Sequence, residues 1–193
     1  MTNKRYIPVG EGVLNNQKFN YEVYVKFVLM SKFNFDENER HRYIYEDEII
    51  HTHIAKEIGI SYSTYKEGLK YLMEQGYIKQ MKVKDTSVYK IDTTMRGSFV
   101  KVGAEELDKL LNASTKNLIR IYMIYKKFNQ MFGSSKINQK MVLENAGLKY
   151  CSSTVTRLRE VNKTLESIGL VLIKRTRKKH NGKMITCLEV KTH

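Results

Sequence analysis

Six cations crowd one short stretch near the end of the chain. Lys174, Arg175, Arg177, Lys178, Lys179 and Lys183 surround His180-Asn181-Gly182. Side chains of this type, this close together, neutralise a polyanion. Like charges on a small element repel each other, and phosphate oxygens relieve that repulsion while releasing condensed counterions. The flanking residues decide what carries them. Leu172 to Val190 holds two strand-like runs, and Asn-Gly between such runs is the strongest short-range hairpin signal, because a type I′ turn needs two residues at positive φ. A basic two-stranded ribbon is expected.

A second chemistry-bearing set is rich in hydroxyls. Ser152, Ser153, Thr154, Thr156, Arg157 and Lys163 belong to SSTVTRLREVNKTLESIGLV. Val155, Leu158, Val161, Leu165 and Ile168 recur there at helical spacing, so the hydroxyls and cations fall off the inner face. Hydroxyls and free N–H groups at a helix start suit phosphate, and an Arg one turn in suits bidentate pairing with guanine. Ser152 or Ser153 is the expected cap and Gly169 the stop. The first half offers a parallel set, Tyr62, Ser63, Thr64, Lys66 and Lys70. These lie on a helix expected from Tyr62 to Gln75, capped by Ser61, with Tyr65, Leu69, Leu72 and Met73 inward and Gly76 as the stop. For both helices the competing reading is an ordinary solvated face. At the second helix, the basic ribbon beside it favours a polyanion.

Catalytic patterns are absent from the sequence. It has no GxxxxGK[ST] phosphate loop and no GxGxxG after a strand. His51 and His53 are two residues apart and point to different sides of a helix, so they do not share a metal as an i, i+4 pair can. A tyrosine nucleophile stays open, but the histidine cluster of metal-dependent nickases is missing. Met73, Met81, Met123, Met131 and Met141 read as core filler. The expectation is a non-enzyme with no cofactor and no metal.

Charge sets the partner class. The chain carries a net +14 with a sequence pI near 9.6. Residues 1–96 hold 15 Lys/Arg against 13 Asp/Glu, while residues 97–193 hold 19 against 7. The polyanion is therefore expected mainly on the second half. An anionic membrane is a weaker candidate, since no apolar helix face accompanies the cations. No run of 18 apolar residues exists, and MTNKRYIPVG lacks the apolar stretch of a signal peptide. Cys151 and Cys187 have no ligand spacing and read as free thiols. A cytoplasmic location, associated with nucleoid or plasmid, is expected.

The elements that must position these residues follow in order. Residues 1–19 are an extended lead-in, with Tyr6, Ile7 and Val9 available for packing. A helix runs from Asn20 to about Lys32, then FNFDENERHR is a polar loop. Tyr43 to Tyr45 is a short strand. A helix spans about Glu48 to Ile58, with Ile50, Ile54 and Ile58 inward and Gly59 as its stop. The Ser61-capped helix comes next, then a hairpin from Tyr77 to Ile91 turning at Asp85-Thr86-Ser87. The polar stretch from Asp92 to Ser98 is the expected boundary. The grammar then repeats: a strand at Phe99–Val102, a short helix at Ala104–Leu111, and a longer Ser114-capped helix with Leu118, Ile121, Tyr122, Tyr125 and Phe128 inward and Gly133 beyond. Ile137 is a strand fragment, Asn138 caps QKMVLENA, and Gly147 stops it.

A helix, a short turn with Gly, a helix and a hairpin make a winged helix-turn-helix. The fold class expected is α+β, mainly α, with two tandem winged helix-turn-helix domains, each with a small antiparallel β wing. The first spans residues 1–96 and the second residues 97–193. LMEQGYIKQMKV aligns with LESIGLVLIKRT, and IAKEIGISYST with VLENAGLKYCSST, a weak repeat of about 90 residues. Units of that size each bury a single core.

These segments resemble tandem winged-helix DNA-binding proteins, specifically replication initiators of plasmids and phages of low-GC Gram-positive bacteria. The residues that carry the likeness are IAKEIGISYSTYKEGLKYLMEQGYI, FVKVGAEELDKLLNASTKNLIRIYMIYKKF and SSTVTRLREVNKTLESIGLV, within residues 18–190. The motifs are generic to winged helices. The resemblance implies two units on successive major grooves of double-stranded DNA at an origin, opening the duplex and recruiting host replication proteins. It also implies recognition at Ser63-Thr64 and at Ser153 to Arg157. A homodimer is an open alternative, as are a transcriptional regulator of the same fold and an accessory protein at a transfer origin. The near-neutral first half departs from the pattern.

Overall fold

A computed structural model describes residues 4–33, 42–83, 85–92, 98–113, 115–132, 135–180 and 183–192. In chain order the elements are β1 (Lys4–Pro8), α1 (Glu11–Leu14), α2 (Tyr21–Met30), β2 (Lys32–Phe33), β3 (Arg42–Tyr45) and a 3-10 turn (Glu46–Glu48). Then come α3 (His51–Glu57), α4 (Tyr62–Glu74), β4 (Ile78–Val83), β5 (Thr86–Ile91), β6 (Phe99–Gly103) and α5 (Ala104–Asn112). The last are α6 (Leu118–Phe132), β7 (Ser135–Asn138), α7 (Gln139–Asn145), α8 (Ser152–Ser167), β8 (Val171–His180) and β9 (Lys183–Thr192). The architecture is α+β. Among the described residues the strands form three small antiparallel sheets, ordered β1-β6, β2-β3-β5-β4 and β7-β9-β8. No described helix is long and apolar enough to cross a membrane.

Contacts divide the chain into two units, Met1–Pro8 with Lys18–Ser114, and Val9–Gln17 with Thr115–His193. This differs from the expected break, whose residues 93–97 lie outside the described ones. The reason is pairing between distant strands. β1 and β6 register from Lys4↔Gly103 to Pro8↔Phe99, and Tyr6 meets Phe99 edge-on at 5.1 Å. Strand β6 and helix α5 therefore belong to the first unit. Conversely, Arg120 Nη1 donates to the Val13 carbonyl at 3.1 Å, which ties α1 into the second.

In the first unit α2 is the central helix. Asn20 Oδ1 caps it by accepting from Val23 N at 3.0 Å. Tyr21, Val23, Tyr24, Val25, Phe27 and Val28 are all buried, more than a single stripe. Phe19 packs on Tyr21 at 4.7 Å and on Tyr77 at 5.1 Å. Helix α3 starts later than the apolar spacing predicts. Ile50 is the N-cap, in an extended conformation, and is 54% exposed, while Ile49 is buried in its place. Ile54 and Ile58 are buried as expected. The hairpin β4–β5 closes at Val83↔Thr86, so Thr86 and Ser87 are strand residues and not a turn. Of the polar loop expected over FNFDENERHR, Phe33 ends β2 and Arg42 opens β3, and residues 34–41 lie outside the described ones.

In the second unit α6 takes the central place. Every residue from Leu118 to Tyr125 is buried, Arg120 included. Phe128 is only half-buried, and it stacks on the exposed Phe132 at 6.2 Å. Ser114 and Gly133, the expected cap and stop, lie outside the described residues. Asn138 Oδ1 caps α7 by accepting from Met141 N at 2.7 Å. Of the methionines expected in the core, Met123 is fully buried and Met73 half-buried, while Met81, Met131 and Met141 are exposed.

The two units share an order: α2-β3-α3-α4-β4-β5 in one and α6-β7-α7-α8-β8-β9 in the other. Sheet order matches too, with the last strand of each in the middle. Even the helix ends agree. α3, α4, α7 and α8 all close on a glycine at positive φ, namely Gly59, Gly76, Gly147 and Gly169. Each closure pairs a 6→1 with a 5→2 hydrogen bond, as in Leu148 N to Leu143 O at 2.8 Å and Gly147 N to Glu144 O at 3.0 Å.

Candidate nucleic-acid interface

Helix α8 carries the densest set of expected residues. Its inner face is Leu158, Val161, Asn162 and Leu165. Val155 and Ile168 are half-buried, at the edge of that face. Ser152, Ser153, Thr156, Arg157 and Lys163 are exposed, and so are Arg159 and Glu160. The expected cap is displaced by one residue: Cys151 is the N-cap, and Ser152 and Ser153 open the first turn. Thr154 explains this. Its Oγ1 accepts from Cys151 N at 3.1 Å and lies 2.6 Å from the Lys149 carbonyl, to which it donates. Thr154 thus locks the turn between α7 and α8, and its hydroxyl faces the loop. Thr156 Oγ1 bonds back to the Ser152 carbonyl at 3.0 Å. Ser153 Oγ lies 3.2 Å from Cys151 Sγ. The Ser153 hydroxyl and the Thr154 backbone N–H bring the Cys151 thiol down to about 7.

The ribbon follows directly. β8 and β9 pair continuously from Val171↔Thr192 to His180↔Lys183. Asn181 and Gly182, the expected turn, lie outside the described residues. β7 borders β9 only from Asn138↔Cys187 to Ser135↔Val190. Beyond that, Arg177 to His180 and Lys183 to Thr186 form a two-stranded projection of about 13 Å. Val171 and Ile173 root the ribbon in the core, while Lys174, Arg175 and Arg177 are exposed. Lys178 and Lys179 hold backbone positions opposite Ile185 and Met184, and Lys183 holds one opposite His180. One cation is tethered: Arg175 Nη2 meets Glu166 Oε2 of α8 at 3.2 Å. The pair ties ribbon to helix.

In the first unit Ser61 Oγ caps α4, accepting from Thr64 N at 3.2 Å. The hydroxyls of Ser63 and Thr64 both turn to Ser61 Oγ, at 3.0 and 2.8 Å. Tyr62, Lys66 and Lys70 are exposed. Lys70 is 3.8 Å from Glu74, and Lys66 Nζ lies 5.7 Å from the Tyr62 ring centre. Lys79 and Lys82 of β4 are exposed, but Gln80 reaches Glu46 at 2.7 Å and brings acid to that sheet.

Charge follows the contact-defined units as it followed the sequence halves. The first unit holds 17 Lys/Arg against 15 Asp/Glu, and the second 17 against 5. Lys116 is a cation that the spacing of residues does not single out. It lies on a small cleft shared with Arg157 and Thr154. Lys116 precedes α6 and Arg157 is on α8, so only the tertiary fold brings them together. Arg159 could have been found from the sequence, as a cation off the apolar face. Among the described residues no group of three or more His, Cys, Asp or Glu is placed to hold a metal ion. No protein-family model matches the chain, and no curated protein matches it.

Proposed function

We propose that each unit is a winged helix-turn-helix and that the chain binds duplex DNA sequence-specifically, without catalysis, to initiate or control replication of a plasmid or phage in the cytoplasm. One observation supports this most: in the second unit an exposed hydroxyl- and cation-bearing helix stands beside a projecting basic ribbon. In this reading α8 enters the major groove, with Arg157 and Lys163 near base edges and Ser152 and Ser153 at phosphates. The ribbon follows the backbone through Lys174, Arg175, Arg177, Lys178, Lys179 and Lys183. Its cations supply affinity and register, and the helix supplies sequence. α4 is the equivalent helix of the first unit, with Tyr62, Ser63, Thr64, Lys66 and Lys70. The replication role rests on the resemblance to initiators.

Selection on a random duplex library, followed by salt titration of the winning site, tests the reading. Replacing Arg175, Arg177, Lys178 and Lys179 together by Ala is expected to weaken all duplexes alike and to flatten the salt slope. Arg157→Ala is expected to relax preference at one or two base pairs, by about 1–3 kcal/mol. Unchanged affinity in the ribbon variant at moderate salt would remove the ribbon from the interface. Footprinting separates the roles: direct repeats in an AT-rich origin favour initiation, and one palindrome over a promoter favours transcriptional control. Nicking of supercoiled plasmid, lost on a Tyr→Phe change, would overturn the non-enzymatic reading.

A further inference from the structure

We propose that the groove along α4 is a binding site for an unpaired nucleobase and the phosphate attached to it. The groove has a volume of about 400 Å³, within the range of small-molecule sites. Four rings line it: His51, Tyr62, Tyr65 and Tyr89. His51, Tyr65 and Tyr89 are held against one another behind the exposed ring of Tyr62. Tyr65 is fully buried, its hydroxyl 2.7 Å from His51 Nδ1. His51 meets Tyr89 nearly at right angles, with ring centres 6.2 Å apart. Only Tyr62 is exposed, at 46%, and its ring is nearly parallel to Tyr65, at 14° and 6.2 Å. Leu69 and Met73 complete an apolar lining.

A flat, apolar-faced ligand fits such a wall, and the rim says what it carries. Lys66 and Lys70 border the groove. Lys66 Nζ sits 5.7 Å from the Tyr62 ring centre. A base stacking on Tyr62 takes the place of that flexible ammonium, which then meets the phosphate of the same nucleotide. Glu74 borders the far end beside Lys70, and its charge keeps the phosphate at the Tyr62–Lys66 end. Stacking on an exposed ring with a neighbouring cation is how proteins hold single strands. A duplex does not present such a base, because its bases are stacked inside. The inference rests on the DNA reading for the strand that supplies the base, and it gives Tyr62 and Lys66 an unpaired nucleotide as ligand in place of a duplex contact. A free nucleotide has the same chemistry.

The test is photo-crosslinking of the full chain to an oligothymidylate of about ten nucleotides carrying one 5-iodouracil, with peptide mapping and a duplex-binding control. The expected crosslink is in residues 51–74, at Tyr62 or His51. Tyr62→Ala should weaken binding of that strand to the first unit about tenfold, with folding checked by circular dichroism, and Tyr62→Phe should restore it. The ribbon variant should keep the crosslink. Thymidine monophosphate in excess separates the sources: full competition assigns the groove to a free nucleotide, and none assigns it to a strand. Crosslinks confined to residues 171–192, or equal binding by Tyr62→Ala, would overturn the inference while leaving duplex binding intact. Loss of duplex binding in the unmodified chain would instead overturn the functional reading.

Discussion

The Tyr125 hydroxyl donates to Asn162 Oδ1 at 2.7 Å, joining the central helix α6 to α8 through a buried hydrogen bond. Both side chains are fully buried, and Asn162 Nδ2 has no partner among the described residues. Together with the buried Leu158, Val161 and Leu165, the bond holds this face of α8 inward and leaves the opposite face exposed.

Removing the donor should therefore cost more than the bond itself. Tyr125→Phe leaves a buried carbonyl oxygen unsatisfied and is expected to destabilise by about 1–3 kcal/mol. Adding Asn162→Leu removes the stranded group and should recover much of that loss. Urea midpoints of the two singles and the double complete the cycle. Additive effects would show that the residues are not coupled.

Glycines that share a backbone conformation differ in their surroundings. Gly147 has φ +67°, and a Cβ there would lie 2.0 Å from the Asn15 carbonyl oxygen. Gly169 has φ +73°, and among the described residues nothing lies within 4 Å of a Cβ built there. Gly169→Ala should cost about 1 kcal/mol for the left-handed backbone alone. Gly147→Ala should cost roughly 3 kcal/mol or more, because backbone must move. Thermal unfolding of the two variants measures the gap, and equal losses would contradict the close approach of Asn15.

Buried tyrosines set a limit at alkaline pH. Burial raises Tyr24, Tyr65 and Tyr125 above the ordinary value of 10.0, with the nearby Asp92 adding to the effect at Tyr24. The folded state holds these protons more tightly than the unfolded chain does. Their stabilising effect is complete below about pH 10 and falls as pH rises beyond it. Urea midpoints should decline between about pH 10 and pH 11. A midpoint that holds at pH 11 would show that these hydroxyls ionise in place.

The main helices were legible in the sequence because their apolar residues recur at 3.6 and their ends carry local signals. Ser61 and Asn138 cap where expected, and Gly59, Gly76, Gly147 and Gly169 end helices where expected, while Asn20, expected as the first helical residue, is the cap of α2. What escaped depends on distance or on a choice between neighbours. β1 and β6 are some 90 residues apart and carry no local mark of pairing. Ile49 and Ile50 are chemically equivalent, and only the start of α3 decides which turns inward. Ser152 and Ser153 outrank Cys151 as caps by propensity, but Thr154 Oγ1 accepts the Cys151 N–H and shifts the helix start. The α8 cations were visible by spacing, whereas the tether of Arg175 to Glu166 was not.

The two thiols should differ in reactivity. Hydrogen bonds from Ser153 and Thr154 bring Cys151 down to about 7, so about half is thiolate at neutral pH. Iodoacetamide is expected to label Cys151 with a midpoint near pH 7 and well ahead of Cys187, read by peptide mapping. Labelling there also places an adduct at the start of α8, so under the proposed function it should weaken duplex binding. Equal labelling of both cysteines at pH 7 would refute the assignment.

The pair between Arg175 and Glu166 makes a prediction opposite in sign to the ribbon substitutions. With side chains 44% and 31% exposed, the pair adds little to stability. Its larger effect is on charge. Glu166 holds one ribbon cation against α8 and places a carboxylate beside the expected path of the phosphates. Glu166→Gln keeps the shape, removes the negative charge and releases Arg175. Under the proposed function, duplex affinity should rise about two- to tenfold at low salt, and the gain should shrink as salt screens it. The unfolding midpoint should move by no more than about 0.5 kcal/mol in free energy. Adding Arg175→Ala to Glu166→Gln should cancel part of the gain, since the freed guanidinium is then gone. Fluorescence anisotropy on one duplex across a salt series measures all three proteins. A loss of affinity in Glu166→Gln would mean that Arg175 works from its tethered position, with Glu166 aiming it.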